Sequence, residues 1–171
     1  MRILAINGST RAESANSRFI RAIVRLAGAR AAFTLYPSIA ELPHFNPDLD
    51  GDDPPAPVAQ FRTMLKEADA VLICTPEYAM GVPGSLKNAL DWCVGSGSLS
   101  GKPVMLVVAS LGGEKALASL LDTLGMIEAV TRPTTTVHIP FARSKVDDAG
   151  NVTDAPARAA LEQALGELLE A

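Results

Sequence analysis

Short unbroken apolar runs alternate along this chain with longer stretches in which apolar residues recur at helical spacing. Residues 2–6 form the first run, the pattern of a strand buried on both faces of a parallel sheet. Residues 16–27 then place Phe19, Ile20, Ile23, Val24 and Ala27 on one side. Arg18, Arg21 and Arg25 fall on another, which predicts an amphipathic surface helix with a solvated arginine face, closed by Gly28. A short second strand is predicted over 32–36. Helical spacing returns over 58–68, with Phe61, Met64, Leu65 and Ala68 on one face, and a third strand follows over 70–75. Residues 83–94 read as a helix with Pro83 at an early position and Leu86, Leu90 and Val94 in one stripe. The fourth strand is predicted over 103–109. The next helix, over 114–127, carries Leu117, Leu120, Leu121 and Leu124. Residues 134–139 are β-branched enough for a fifth strand, and Asp154 caps a last helix bearing Leu161, Leu165, Leu168 and Leu169.

Strand and helix therefore alternate through the whole chain without an internal repeat, which implies a parallel sheet with right-handed crossovers. The expected fold class is α/β: a flavodoxin-like three-layer sandwich, with a five-stranded parallel sheet in order 2-1-3-4-5 and helices on both faces. It forms a single domain over residues 1–171. In that order the turns after strands 1, 3 and 4 share one edge, where open α/β sheets bind their ligands. One stretch breaks the alternation. Residues 37–57 hold six prolines and read as a loop, too long to be idle in a compact domain. Its apolar part, 43–49, is suited to covering a ligand or a partner subunit. Asp50-Gly51-Asp52-Asp53 reads as an exposed turn rather than a metal site.

Composition narrows the field. Hydrophobic residues make up 48% and charged residues 20%, ordinary for a folded domain. A net charge of -4 gives no general attraction to nucleic acid or acidic membranes, so any anion site must be local. No apolar run reaches the roughly 18 residues of a membrane span, and a cytoplasmic protein is expected. Cys74, on a strand, and Cys93, on a helix, match no metal or redox spacing and read as core residues.

The first turn has the chemistry of an anion site. Asn7-Gly8-Ser9-Thr10-Arg11 leads through Ser14, Asn16 and Ser17 into the first helix, where unpaired N–H groups and the helix dipole favour negative charge. Ser9, Ser14, Asn16 and Ser17 add side-chain donors, and Arg11 adds a planar fork suited to phosphate. Helix capping by Ser14 or Asn16 and a solvated Arg11 are the alternative. The turn is neither G-x-x-x-x-G-K-[ST] nor G-x-G-x-x-G. After the third strand, Pro76-Glu77-Tyr78-Ala79 offers backbone groups to a flat ring, with Tyr78 at its border. Glu77 is assigned an orienting role rather than that of a general base. Ser110, Gly112 and Gly113 follow the fourth strand, and the paired glycines permit close backbone approach to a ligand. His138, on a strand, reads as structural.

These segments resemble the NADPH-dependent FMN reductase family, which includes quinone, chromate and azo-dye reductases. The likeness rests on Gly8-Ser9-Thr10-Arg11 with Ser14 and Asn16, on Pro76-Glu77-Tyr78, and on Pro83-Gly84-Ser85-Leu86-Lys87-Asn88-Ala89-Leu90-Asp91-Trp92. Leu42-Pro43-His44-Phe45-Asn46-Pro47-Asp48-Leu49 is similar to that family's segment after strand 2, and the match runs over about 2–140. The resemblance implies FMN, its phosphate at Ser9, Arg11, Ser14, Asn16 and Ser17. It implies the isoalloxazine on Pro76, Glu77, Tyr78 and Ala79, with Ser110, Gly112 and Gly113 at its other border. It further implies NADPH or NADH as co-substrate, a small-molecule electron acceptor, and a homodimer or homotetramer joined near residues 43–49 and 87–92. Ala79 departs from the Asn common in the family. Such an enzyme needs no catalytic side chain, because the flavin carries the reaction. The rival from another class is a non-enzymatic flavodoxin-type carrier, disfavoured by the arginine in the phosphate turn and the mild acidity. A receiver domain would need an acidic cluster after strand 1, where this chain has Asn7-Gly8.

Overall fold

A computed structural model describes residues 1–11 and 13–171. Five strands, β1 (Arg2–Asn7), β2 (Ala32–Leu35), β3 (Ala70–Thr75), β4 (Pro103–Ala109) and β5 (Val130–Ile139), form one sheet in the order β2-β1-β3-β4-β5. Every pairing is parallel, so the expected topology holds. The helices are α1 (Ala15–Ala27), α2 (Ala56–Glu67), α3 (Gly84–Asp91), α4 (Glu114–Met126) and α5 (Ala155–Leu169).

Alternate residues of each strand point to opposite faces. Leu4, Ile6, Val71, Ile73, Val104 and Leu106 pack with Phe61 and Leu65 of α2, Leu86 and Leu90 of α3, and Leu120 and Leu124 of α4. Ile3, Ala5, Leu72, Cys74, Met105 and Val107 pack with Phe19 and Ile23 of α1 and Leu161, Leu165 and Leu168 of α5. Both faces are sealed, which is why the central strands read as continuous apolar runs.

Four local expectations are corrected. Val24 is 38% exposed, because it lies about 100° around α1 from Ile23 and off the buried stripe. Leu121 is at the margin of the α4 stripe and is also exposed. α3 ends at Asp91, so helical spacing does not carry to Val94, which is 59% exposed; Cys93 is buried just beyond the helix rather than on it. β5 begins earlier than expected. Its register against β4 shifts between Val104 and Leu106, and Thr135 Oγ1 bridges the irregularity by donating to the Val104 carbonyl at 2.9 Å. Pro133, which has no N–H to give, falls in that bulge on an edge strand.

The arginine face of α1 is not simply solvated. Arg25 donates to the carbonyls of Ala149, at 3.1 Å, and Gly150, and Arg18 pairs with Asp148 at 2.8 Å. The stripe fastens the loop before α5. Nor is Asp50 an exposed turn residue. It pairs with Arg62, whose Nε donates to the Trp92 carbonyl at 2.9 Å, and both side chains are nearly buried.

The long loop after β2 is docked by α3. Asn88 accepts from the Phe45 N–H at 2.7 Å and donates to the Pro43 carbonyl at 3.0 Å; the Trp92 indole N–H reaches the same carbonyl at 2.8 Å. Phe45 meets the Trp92 ring edge-on with centroids 5.0 Å apart. The two sequence motifs around residues 42–49 and 83–92 are thus halves of one clasp. They stabilise this chain's own loop.

Candidate functional site

The strand ends carry the site. β1 and β3 approach so closely that a Cβ on Gly8 would lie 2.2 Å from Thr75 Oγ1, and the Gly8 N–H donates to the Cys74 carbonyl at 2.8 Å. Glycine is required there by space. The chain then turns on its own side chains: Asn7 Oδ1 accepts from the Ser9 N–H at 3.0 Å, and Ser9 Oγ accepts from the Arg11 N–H at 3.3 Å. Ser14 is the N-cap of α1. Its hydroxyl accepts from the Ser17 N–H at 3.0 Å, while the Ser17 hydroxyl accepts from the Ser14 N–H at 3.0 Å. Capping is therefore real, and Ser17 turns its hydroxyl to the cap rather than to the cleft.

A cleft of about 490 Å³ opens at this edge. Ser9, Arg11, Ser14 and Asn16 line it from the β1 side, Pro76, Glu77 and Tyr78 from the β3 side, and Ser110 from β4. Ser17, Ala79, Gly112 and Gly113, also expected at the site, are not among its lining residues. A Cβ on Gly112 would face the carboxylates of Glu114 and Glu77, at 3.2 and 3.4 Å. Gly113 has φ 131° and would meet His138 Nε2 at 2.8 Å. The pair shapes the entry to α4, and His138 Nε2 lies 2.9 Å from the Gly112 carbonyl, a structural contact.

Glu77 is a brace. Its Oε2 accepts from the N–H groups of Lys115 and Ala116, both at 2.9 Å, in the first turn of α4. That satisfies two otherwise orphaned donors and places a negative charge on the positive end of the helix. The Glu77 N–H also donates to Ser110 Oγ at 3.1 Å. Next to it, Tyr78 and Gly81 exchange two backbone hydrogen bonds, of 3.0 and 2.9 Å, around Ala79 and Met80. Both central residues are left-handed, at φ 48° and 60°, the backbone of a type I′ turn that favours Asn-Gly. The turn holds Tyr78 so that its hydroxyl lies 3.4 Å from Ser9 Oγ, across the cleft.

A fourth loop, which the sequence reading did not assign, completes the wall. Phe141, Ala142, Arg143 and Ser144 follow β5 and line the cleft, as do Ala15, Ala109 and Leu111. The available signal was an arginine shortly after a strand that ends on the ligand edge. Among the described residues, neither the Arg11 nor the Arg143 guanidinium makes a hydrogen bond or ion pair. Among the described residues Glu77 is the only acid lining the cleft, and its Oε2 is taken by the first turn of α4. The cleft is cationic within an acidic chain.

The family model for NADPH-dependent FMN reductase matches residues 1–144. The chain belongs to that family. A quinone reductase of Pseudomonas putida is 34% identical over 160 residues, covering 89% of this chain and 84% of its own length. A quinone reductase of Escherichia coli is 32% identical over 161 residues, covering 90% and 86%. The solved structure of FerB, a flavoenzyme NAD(P)H:acceptor oxidoreductase from Paracoccus denitrificans, superposes with a TM-score of 0.84 at 30% identity, covering 99% of this chain and 95% of that one. This FMN reductase is therefore an oxidoreductase with FMN as cofactor and NAD(P)H as co-substrate, and the non-enzymatic carrier is set aside. Among the described residues no helix is long and apolar enough to cross a membrane.

The cleft suits such a cofactor. Its β1 end combines hydroxyls, an unpaired guanidinium and the N1 and N2 residues of α1, Ala15 and Asn16, the donor set that phosphate needs. Its β3–β4 end is walled by Pro76, Tyr78 and Ala109, which suit a ring. The volume falls within the roughly 300–1,000 Å³ of small-molecule sites.

Proposed function

We propose that this reductase holds FMN along the cleft, phosphate at the β1–α1 turn and ring across the ends of β3 and β4, and reduces a quinone, a free flavin, an azo compound or a metal oxyanion. Held there, FMN would supply the redox chemistry, hydride acceptance from NAD(P)H and two-electron delivery to the acceptor. The chain's own residues bind and orient. Arg11 grips phosphate with its fork, and Ser9, Ser14 and the Asn16 amide complete the cradle. Ser17 acts through the cap, fixing Ser14. Pro76 and Tyr78 flank the ring, and the turn at Ala79 fixes where Tyr78 stands. Ser110 borders the ring while tied to the Glu77 backbone; Gly112 and Gly113 act by setting the path of that loop. No side chain is asked to move a proton.

One observation carries this reading: unpaired Arg11 shares one continuous cleft with the apolar walls at β3 and β4. Two further parts belong to the same proposal. A homodimer or homotetramer is favoured by Leu49 and Val94, exposed at 46% and 59% and flanking the close approach of Asp50 to Gly95. A cytoplasmic setting agrees with two free, buried cysteines, Cys93 pushed up to about 12 by burial and Cys74 higher still.

The test is anaerobic. NADPH added to the FMN-loaded protein is expected to bleach the flavin's visible absorbance, and a quinone is expected to restore it. Yellow colour that survives excess NADPH and NADH contradicts the proposal.

A further inference from the structure

The β5 exit presents features that cofactor binding at β1 leaves unexplained. The Phe141 N–H donates to the Leu111 carbonyl at 3.1 Å and the Ala142 N–H to the Ser110 carbonyl at 2.9 Å, so the β4 and β5 exits form one rim. On that rim Leu111 and Phe141 are 75% and 63% exposed, although both are large and apolar. Phe141 is held left-handed at φ 53°, a conformation that costs a bulky residue energy and is found where a site over-determines the backbone. The Ser144 hydroxyl and N–H both bond the Phe141 carbonyl, at 2.9 and 3.1 Å, which fixes the turn. Arg143 stands in the same turn with no partner among the described residues.

A single phosphate does not account for both arginines of the cleft. β1 and β5 are three strand spacings apart in the sheet, about 14 Å at their ends. With one phosphate at Arg11, the Arg143 charge is left over, beside two apolar side chains that offer a ring a dry surface.

We propose that Leu111, Phe141 and Arg143 form an acceptor subsite that selects a flat aromatic or quinoid ring bearing an anionic substituent. The inference rests on FMN occupying the cleft. The ring lies against Leu111 and Phe141, and its sulfonate, carboxylate or enolate pairs with Arg143. Arg143 is a specificity residue in this account.

The experiment uses FMN-loaded wild type, Arg143→Gln and Arg143→Lys. Two acceptors of one skeleton, a naphthoquinone sulfonate and a neutral methyl naphthoquinone, are compared under the same NADPH concentration. The ratio of kcat/KM, anionic over neutral, is expected to fall about tenfold in Arg143→Gln, as the loss of one charge-assisted hydrogen bond implies, and to be largely kept in Arg143→Lys. A second readout needs no turnover. Calorimetric titration of the oxidised holoprotein with naphthalene sulfonate is expected to show an affinity about tenfold weaker in Arg143→Gln.

Three results overturn the inference alone. One is an unchanged acceptor ratio in a yellow, active Arg143→Gln protein. Another is an FMN affinity that falls about tenfold, which makes Arg143 a cofactor anchor. The third is a KM that rises for NADPH but not for NADH, which makes the donor's extra phosphate its partner. A wild-type chain that takes up no FMN overturns the cofactor reading, and this inference with it.

Discussion

The exits of β1 and β3 face each other across one cleft and use their polar groups in opposite ways. At the β1 exit the backbone turns on Asn7 and Ser9, and the strongest donor, Arg11, is left without a partner among the described residues. At the β3 exit the strongest group, Glu77, spends one carboxylate oxygen, Oε2, on two N–H groups in the first turn of α4. Both residues stand in the cleft wall. Of the two, only Arg11 has no side-chain partner among the described residues. A charged side chain in a site can thus be there to bind or to hold the site's shape, and residue type alone does not separate the two; the hydrogen-bond census does.

Two variants sharpen the contrast. Glu77→Ala removes the acceptor for two helix N–H groups and is expected to destabilise the fold by about 2 kcal/mol, lowering Tm by about 6 °C. Thermal denaturation of the apoprotein measures this. An unchanged Tm would mean that the brace contributes nothing, and Glu77 would return to candidacy as a ligand. A smaller and opposite effect is expected from Ala79→Asn with Met80→Gly. The double variant relieves two left-handed residues and should gain about 1 kcal/mol, raising Tm by about 3 °C. A fall in Tm would show that the tight turn is not strained as its dihedral angles imply.

Much of the fold was legible because both faces of the sheet are covered. Runs such as residues 70–75 and 103–109 can be strands buried on two sides and little else. Of the two readings of the β1 turn, helix capping by Ser14 is present, and Arg11 stands in the cleft wall without a side-chain partner among the described residues. What escaped depends on partners distant in sequence. The arginine face of α1 looks solvated until the loop at 148–150 is laid over it. Asp50 looks exposed until Arg62 and the end of α3 close around it. The glycines at 112 and 113 signalled close approach, and an added Cβ there would meet Glu77 and Glu114 at one and His138 at the other. The β5 rim was missed because periodicity locates a strand and says nothing of which loop folds back over its neighbour.

Arg11 is the proposed anion anchor of the cleft. Calorimetric titration of FMN into the wild-type apoprotein and into Arg11→Ala tests it most directly. One FMN per wild-type chain, an affinity ten- to a hundredfold weaker in the variant, and the same Tm for both apoproteins are the predicted results, equivalent to about 1.5–3 kcal/mol for one charge-assisted interaction. Equal affinity in the two proteins, or no heat and no colour in the wild type, would contradict it.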